Sequence, residues 1–210
     1  MKIPGTLYII SAPSGGGKTS LVNALLESVS NLEVSISYTT RAPRPGEKEG
    51  IDYHFVDETQ FKQLKKEHAF LEDATVFGHY YATSVDWVTK KIEAGIDIIL
   101  EIDWQGARQI REKMPESIGI FIIPPSWETL EKRLRLRAQD EETVIKKRMA
   151  DAKAELEHFD EYDYLILNDN FSNALADLNA ILRVRRLRSG IQQRELAPLL
   201  EDLLKQPFSK

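Results

Sequence analysis

The chain contains no cysteine among its 210 residues. That absence excludes a disulfide scaffold, a thiolate zinc site and a cysteine nucleophile. No apolar run approaches the ~18 residues a membrane span needs. The opening residues, Met1-Lys2-Ile3-Pro4-Gly5, lack the long apolar stretch of a secretory signal. Cationic excess is missing too: 28 Lys and Arg stand against 33 Asp and Glu, a net charge of −5, with a pI near 5.5. A general nucleic-acid binder usually shows the opposite balance. Internal repeats and low-complexity tracts are also absent. The expectation is a cytoplasmic globular protein with no nucleic-acid or membrane partner.

What is present suits such a protein. Hydrophobic residues make up 42% and charged residues 29% of the chain. At about 150 residues per domain, the length fits one large domain or one core with insertions. Leu7-Tyr8-Ile9-Ile10 is a short apolar run that reads as a strand buried on both faces. The turn cluster 11–17 follows it at once, and residues 19–26 then place apolar side chains at helical spacing. From 35 to 86 the pattern changes to Pro, Gly and charge, a short helix near 58–67, and mixed β-formers from 70 to 83. This stretch is expected to be an inserted, largely β lobe.

Alternation of strand and helix then resumes. Val85 to Ala94 reads as a helix closed by Gly95, Asp97 to Asp103 as a strand, and Gln105 to Lys113 as a helix. Ile118 to Ile123 and Tyr164 to Leu167 are further strands. Charged helices are expected near 127–137 and 141–158, and another over Phe171 to Arg188. The order implies an α/β fold with a parallel sheet covered on both faces, a three-layer core. In the tail, Leu196, Leu199, Leu200, Leu203 and Leu204 form a helical apolar stripe. Packing on its own core is the favoured expectation, and a homo-oligomer contact the alternative. The basic run Arg183, Arg185, Arg186, Arg188 fits a helix C-terminus favoured by its dipole.

Ala12-Pro13-Ser14-Gly15-Gly16-Gly17-Lys18-Thr19 matches the phosphate-loop pattern G-x-x-x-x-G-K-[ST] except at its first position. Backbone N–H groups must converge on phosphate oxygens there, so glycines line the turn. The following helix N-terminus adds partial positive charge. Lys18 supplies charge to the β- and γ-phosphates, and the Thr19 hydroxyl is placed for Mg²⁺. Asp103, closing an apolar strand, is the expected second metal group. Glu101, two residues earlier, is expected on the same face.

More specific segments stand downstream: Ser37-Tyr38-Thr39-Thr40-Arg41-Ala42-Pro43-Arg44-Pro45-Gly46-Glu47, then Asp52-Tyr53-His54-Phe55, Phe70-Leu71-Glu72, Gly78-His79-Tyr80-Tyr81 and Asp103-Trp104-Gln105-Gly106. With the phosphate loop they resemble guanylate kinase, in order, from about Thr6 to Asn170. The resemblance implies a P-loop NTPase core (1–34, 87–126, 158–190), a GMP-binding lobe (35–86), a small helical lid (127–157) and a C-terminal tail (191–210). It implies transfer of the γ-phosphoryl of ATP to GMP, with Mg²⁺.

Residue by residue, Arg41, Arg44, Tyr53 and Tyr81 resemble the family's clamp on the GMP phosphate, a task suited to guanidinium forks and phenol donors. Glu72 resembles the guanine reader: guanine's N1–H and N2–H₂ can both donate to one carboxylate, whereas adenine would leave it unpaired. Ser37 and Thr83 match positions that bond the base, and Glu101 and Asp103 match acids near GMP. Lys18, Arg44, Arg137 and Arg148 are the expected catalytic cations. Arg133 and Asn168 are expected beside ATP, Asn168 at the adenine.

Three alanines depart from the pattern. Ala12 replaces a loop glycine, Ala82 stands where glycine is common before Thr83, and Ala138 does so after Arg137. If position 82 needs a positive φ, Thr83 would be displaced. Two other readings remain: a guanylate-kinase-like module that binds phosphopeptides, and another P-loop small-molecule kinase.

Overall fold

A computed structural model describes residues 3–76, 78–137 and 142–205. Its main sheet has five parallel strands: β1 (Leu7–Ser11), β2 (Leu32–Val34), β7 (Asp97–Glu101), β8 (Ile118–Ile123) and β9 (Tyr164–Leu167), in the order β2-β7-β1-β8-β9. All five residues of central β1 are buried. Alternating side chains feed two cores: Tyr8 and Ile10 face one side, Leu7 and Ile9 the other. On the first side lie α1 (Lys18–Ser28) and α7 (Phe171–Arg186), through Leu21, Leu25, Leu178 and Leu182. On the second lie α3 (Val85–Glu93) and α4 (Trp104–Lys113), through Val88, Ala107 and Ile110. Two covered faces explain why the central strands β1, β7 and β8 carry continuous apolar runs and not an alternating pattern.

The second sheet orders β4 (His54–Phe55), β3 (Tyr38–Thr39), β6 (His79–Ser84) and β5 (Phe70–Val76), in the sequence β4-β3-β6-β5. Strand β6 runs antiparallel to both neighbours. Helix α2 (Glu58–Lys66) starts with a complete capping box: the Asp57 carboxylate accepts from the Gln60 N–H, and the Gln60 side chain accepts from the Asp57 N–H. Its buried Phe61 packs on Phe70 and Tyr80.

Helices α5 (Trp127–Arg137) and α6 (Glu142–Leu156) form a separate small core around Leu130, Leu134 and Ala152. The tail forms α8 (Ser189–Glu195) and α9 (Ala197–Lys205), with Pro198 in the first turn of α9. The expectation that its leucines pack on the core is not met: Leu199, Leu203 and Leu204 are exposed, and α9 buries no residue. Among the described residues, no helix is long and apolar enough to cross a membrane.

Two further expectations change. The strand expected over 97–103 ends at Glu101, and Asp103 is instead the N-cap of α4. Ala82 does not adopt a positive φ; among described non-glycine residues only Asn31 and His68 do. Ala82 lies in regular β6, buried, opposite Tyr38 and Asp73, so Thr83 keeps its strand position. Ala138 lies outside the described residues.

Candidate active site

The loop 12–17 leaves the carboxyl end of β1, where open α/β sheets receive ligands. Gly15 and Gly17 have φ of 86° and 95°, which glycine adopts freely. The Gly16 N–H closes a turn on the Pro13 carbonyl at 2.7 Å. A side chain at Gly17 would also overlap the Asn168 amide. Asn168, 4% exposed, donates from Nδ2 to the Gly16 carbonyl at 2.8 Å. Arg133 of α5 reaches the same corner, donating to the Asn168 carbonyl at 3.1 Å. Three of the residues expected at ATP thus meet on the back of the loop.

At the start of α1, the Thr19 hydroxyl donates to Glu101 Oε2 at 3.1 Å. Asp103, the expected second metal group, also lines the cleft, with both carboxylate oxygens engaged at the start of α4. Its Oδ1 accepts from the Gly106 N–H at 3.1 Å and its Oδ2 from Gln105 Nε2 at 2.8 Å. An aspartate one residue before a helix caps that helix, and this local bonding sets the side chain's direction. A hydroxyl and a carboxylate meeting beside a phosphate loop form an all-oxygen donor set suited to a hard cation such as Mg²⁺.

Glu72 lies in β5, 2% exposed, and Thr83 Oγ1 of the paired strand donates to its Oε1 at 2.6 Å. Burial pushes the carboxyl up to about 7, a rise opposed by the Thr83 hydrogen bond and assisted by Asp103 and Asp73. Gly106 of α4 explains a glycine of the Asp-Trp-Gln-Gly segment: a Cβ there would stand 2.5 Å from Glu72 Oε2.

The expected clamp is assembled around an acid. Arg41 donates from Nη2 to Glu47 Oε1 at 2.8 Å, and the Arg44 backbone N–H donates to Glu47 Oε2 at 2.7 Å. Arg41 holds the Glu47 carboxyl below its usual range. The Arg41 guanidinium lies 5.2 Å from the Tyr53 ring centre, and the Tyr53 and Tyr81 rings meet edge-on at 6.0 Å.

One cleft of about 1310 Å³ is lined by residues 12–19, Ser37, Arg41, Arg44, Tyr53, Glu72, Tyr81, Glu101, Asp103, Arg133, Arg148 and Asn168. Of the residues expected at the site, Thr83 is buried behind Glu72, and the Arg137 side chain lies outside the described residues. Sequence reasoning missed Glu155. This α6 residue lines the cleft and accepts from the Ser14 N–H at 2.9 Å. Burial pushes its carboxyl up to about 7, with Asp103 and Asp151 adding to the rise and Ser14 and Lys18 opposing it. Its spacing of seven from Arg148, two helical turns on the same face, was the available signal.

Residues 4–185 match the family profile described as guanylate kinase. The guanylate kinase of Alkalilimnicola ehrlichii is 54% identical over 202 residues, covering 96% of this chain and 100% of the relative. That of Coxiella burnetii is 51% identical over 198 residues, covering 94% of this chain and 96% of the relative. The crystal structure of guanylate kinase from Anaplasma phagocytophilum matches with a TM-score of 0.75 at 35% identity, covering 90% of each chain. A phosphate loop and a buried acid facing one cleft, in a chain with relatives of this identity and coverage, lead to one assignment: the chain belongs to the guanylate kinase family.

Proposed function

We infer that this protein catalyses transfer of the γ-phosphoryl group of ATP to GMP, giving ADP and GDP. A GMP phosphate oxygen forms a bond to the γ-phosphorus as the bond from that phosphorus to the ADP oxygen breaks. The nucleophile is already ionised, so no general base is required. The observation that carries this reading is the placing of the buried Glu72 carboxylate and the phosphate loop in a single cleft.

The residues divide the work by charge. The loop amides of 12–17 and Lys18 hold the ATP phosphates. Arg41, Arg44, Tyr53 and Tyr81 hold the GMP phosphate. The net charge of −5 repels both nucleotides at long range, so these local cations must outweigh it. Glu72 accepts from guanine N1–H and N2–H₂, Ser37 lines the base pocket, and Thr83 behind Glu72 holds the carboxylate in place. Asn168 and Arg133 support the loop from the adenine side. Arg44, Arg137 and Arg148 surround the transferring phosphoryl, where charge redistributes in the transition state.

Thr19 and Glu101 would hold Mg²⁺, with Asp103 beside them in the same cleft. The ion, when bound, neutralises charge on the β- and γ-phosphates. Residues 35–86 act as the GMP lobe and 127–157 as the lid, closing on the core to exclude water. We place the reaction in the cytoplasm, with ATP and GMP as its partners.

The intact residues Gly15 to Thr19 disfavour a pure phosphopeptide module. Glu72 with Thr83 disfavours a kinase for a non-purine acceptor. A coupled assay of ADP release with GMP, dGMP, AMP and UMP tests the assignment. GMP should be strongly preferred over AMP and UMP. Equal rates with AMP, or release of ADP that no acceptor stimulates, would refute it.

A further inference from the structure

Strand β5, which carries Glu72, is the edge of its sheet, so every second residue turns its backbone polar groups away from β6. Four of those outward groups, the carbonyls of Leu71, Asp73 and Thr75 and the N–H of Asp73, find partners on the core. Helix α4 of the core meets them with three side chains spaced four residues apart. Gln105 donates from Nε2 to the Thr75 carbonyl at 3.4 Å. Gln109 makes two bonds to one residue: Nε2 donates to the Asp73 carbonyl at 2.6 Å, and Oε1 accepts from the Asp73 N–H at 3.1 Å. Lys113 Nζ donates to the Leu71 carbonyl.

The match is one of geometry. Four residues of helix advance about 6 Å, and two residues of strand about 6.8 Å. Positions 105, 109 and 113 therefore climb the helix in step with 75, 73 and 71 running back along the strand. Gly106, between the first two rungs, is the place where the helix backbone comes up against the Glu72 carboxylate. The rungs at Asp73 and Leu71 bracket Glu72 itself. Sliding β5 by one residue would break every rung and turn Glu72 to the other face.

We propose that Gln105, Gln109 and Lys113 are positioning residues for guanine selection, fixing through the backbone of β5 the depth at which Glu72 meets the base. None of the three needs to touch a nucleotide. The ladder makes α4 the reference surface for the base pocket, so that the reading carboxylate is held against the core. The proposal rests on Glu72 reading guanine, and deepens that assignment.

The test uses Gln109→Met, which keeps chain length and helix propensity but removes both bonds to Asp73, and Lys113→Met, which removes the bond to Leu71. Steady-state kinetics with GMP, AMP and ATP are measured alongside amide exchange at Asp73. For Gln109→Met the Asp73 amide should exchange faster. KM for GMP should rise about tenfold, with kcat within about threefold, KM for ATP unchanged, and the preference for GMP over AMP reduced about tenfold. Lys113→Met should move the same parameters in the same direction by less.

Faster Asp73 exchange with unchanged GMP kinetics and selectivity would overturn the proposal. So would parallel rises in KM for ATP and GMP that track a lowered Tm, which would make the ladder general adhesion. If Gln109→Met does not fold, Lys113→Met alone decides by the same criteria. Glu72→Gln, run alongside, separates the two claims. If it keeps its selectivity, the reading of Glu72 fails; if it loses selectivity while both ladder variants keep theirs, only the ladder fails.

Discussion

The Glu155 carboxylate of α6 accepts a hydrogen bond from the Ser14 backbone N–H of the phosphate loop at 2.9 Å. Helix α6 thus sets a negative group against a loop whose amides suit anions. Lys18 favours the ionised form there, while burial and the carboxylates of Asp103 and Asp151 oppose it. The triphosphate of ATP adds further negative charge and favours protonation. ATP binding should therefore take up a proton near neutral pH. In Glu155→Gln the amide oxygen still accepts from Ser14 but carries no charge. Affinity for ATP at about pH 8 should improve about fivefold, the equivalent of roughly 1 kcal/mol of like-charge repulsion. The gain should vanish towards about pH 6, where the wild-type carboxyl is protonated. KM for ATP measured across that range, variant against wild type, checks it; identical pH profiles would remove Glu155 from the account.

Glu72 gives a second pH effect, on stability. Its folded-state value lies above the ordinary one, so the folded chain keeps a proton that the unfolded chain has lost between about pH 4.5 and about 7. Stability falls as pH rises through that window and levels off above it. Glu72→Gln removes the cost of an ionised buried group. Ligand-free variant should be more stable than wild type at about pH 8, by on the order of 3 kcal/mol, with the difference closing towards about pH 4.5. Urea unfolding at both pH values measures this. On the proposed reading of Glu72 guanine's donors need the ionised form, so wild-type KM for GMP should rise below about pH 7, and the variant should lose about a hundredfold in kcat/KM for GMP. A variant less stable at the higher pH would contradict the argument.

Legibility in the sequence followed how local the determining forces were. β1 and β8 are readable because burial on both faces leaves an unbroken apolar run, and the apolar run of β9 is readable although only Ile166 in it is buried. The phosphate loop was readable because positive φ at Gly15 and Gly17 demands a residue type. β2 was not: it is three residues long with Glu33 at its centre, and only pairing with β7 makes it a strand. Asp103 follows an apolar run and so reads as the end of a strand, but its side chain answers to the orphan N–H groups of α4. Glu155 and Gln109 sit on charged helices where the same residue types usually face water, and only the packed fold brings them to Ser14 and Asp73. The leucines of α9 were readable as a helix stripe, but periodicity carries no information about a partner surface.

Gly17 joins two constraints at one position: a φ of 95° and a close approach by the Asn168 amide. Gly17→Ala should cost about 1–2 kcal/mol in backbone strain and push Asn168 off the Gly16 carbonyl. The loop amides then lose their common focus. KM for ATP should rise at least about tenfold, while GMP binding measured by calorimetry without ATP stays as in wild type. Equal damage to both nucleotides would mean that the loop supports the whole cleft and not the triphosphate alone.

Arg41 and Glu47 make the last case. Glu47 joins the Arg41 guanidinium to the Arg44 backbone, so on the proposed reading of Arg41 the pair fixes a cation in place before the GMP phosphate arrives. A cation held in advance loses less rotamer freedom on binding. Arg41→Met removes the charge-assisted bond to phosphate, and KM for GMP should rise about tenfold to a hundredfold with KM for ATP unchanged. Glu47→Gln keeps an acceptor for the Arg44 N–H but weakens the hold on Arg41, and the rise should be only a few-fold. Because Glu47 acts through Arg41, the effects should not add: the double variant should bind GMP no worse than Arg41→Met alone. Full additivity in that double-mutant cycle would show that Glu47 serves the GMP site by some route other than Arg41.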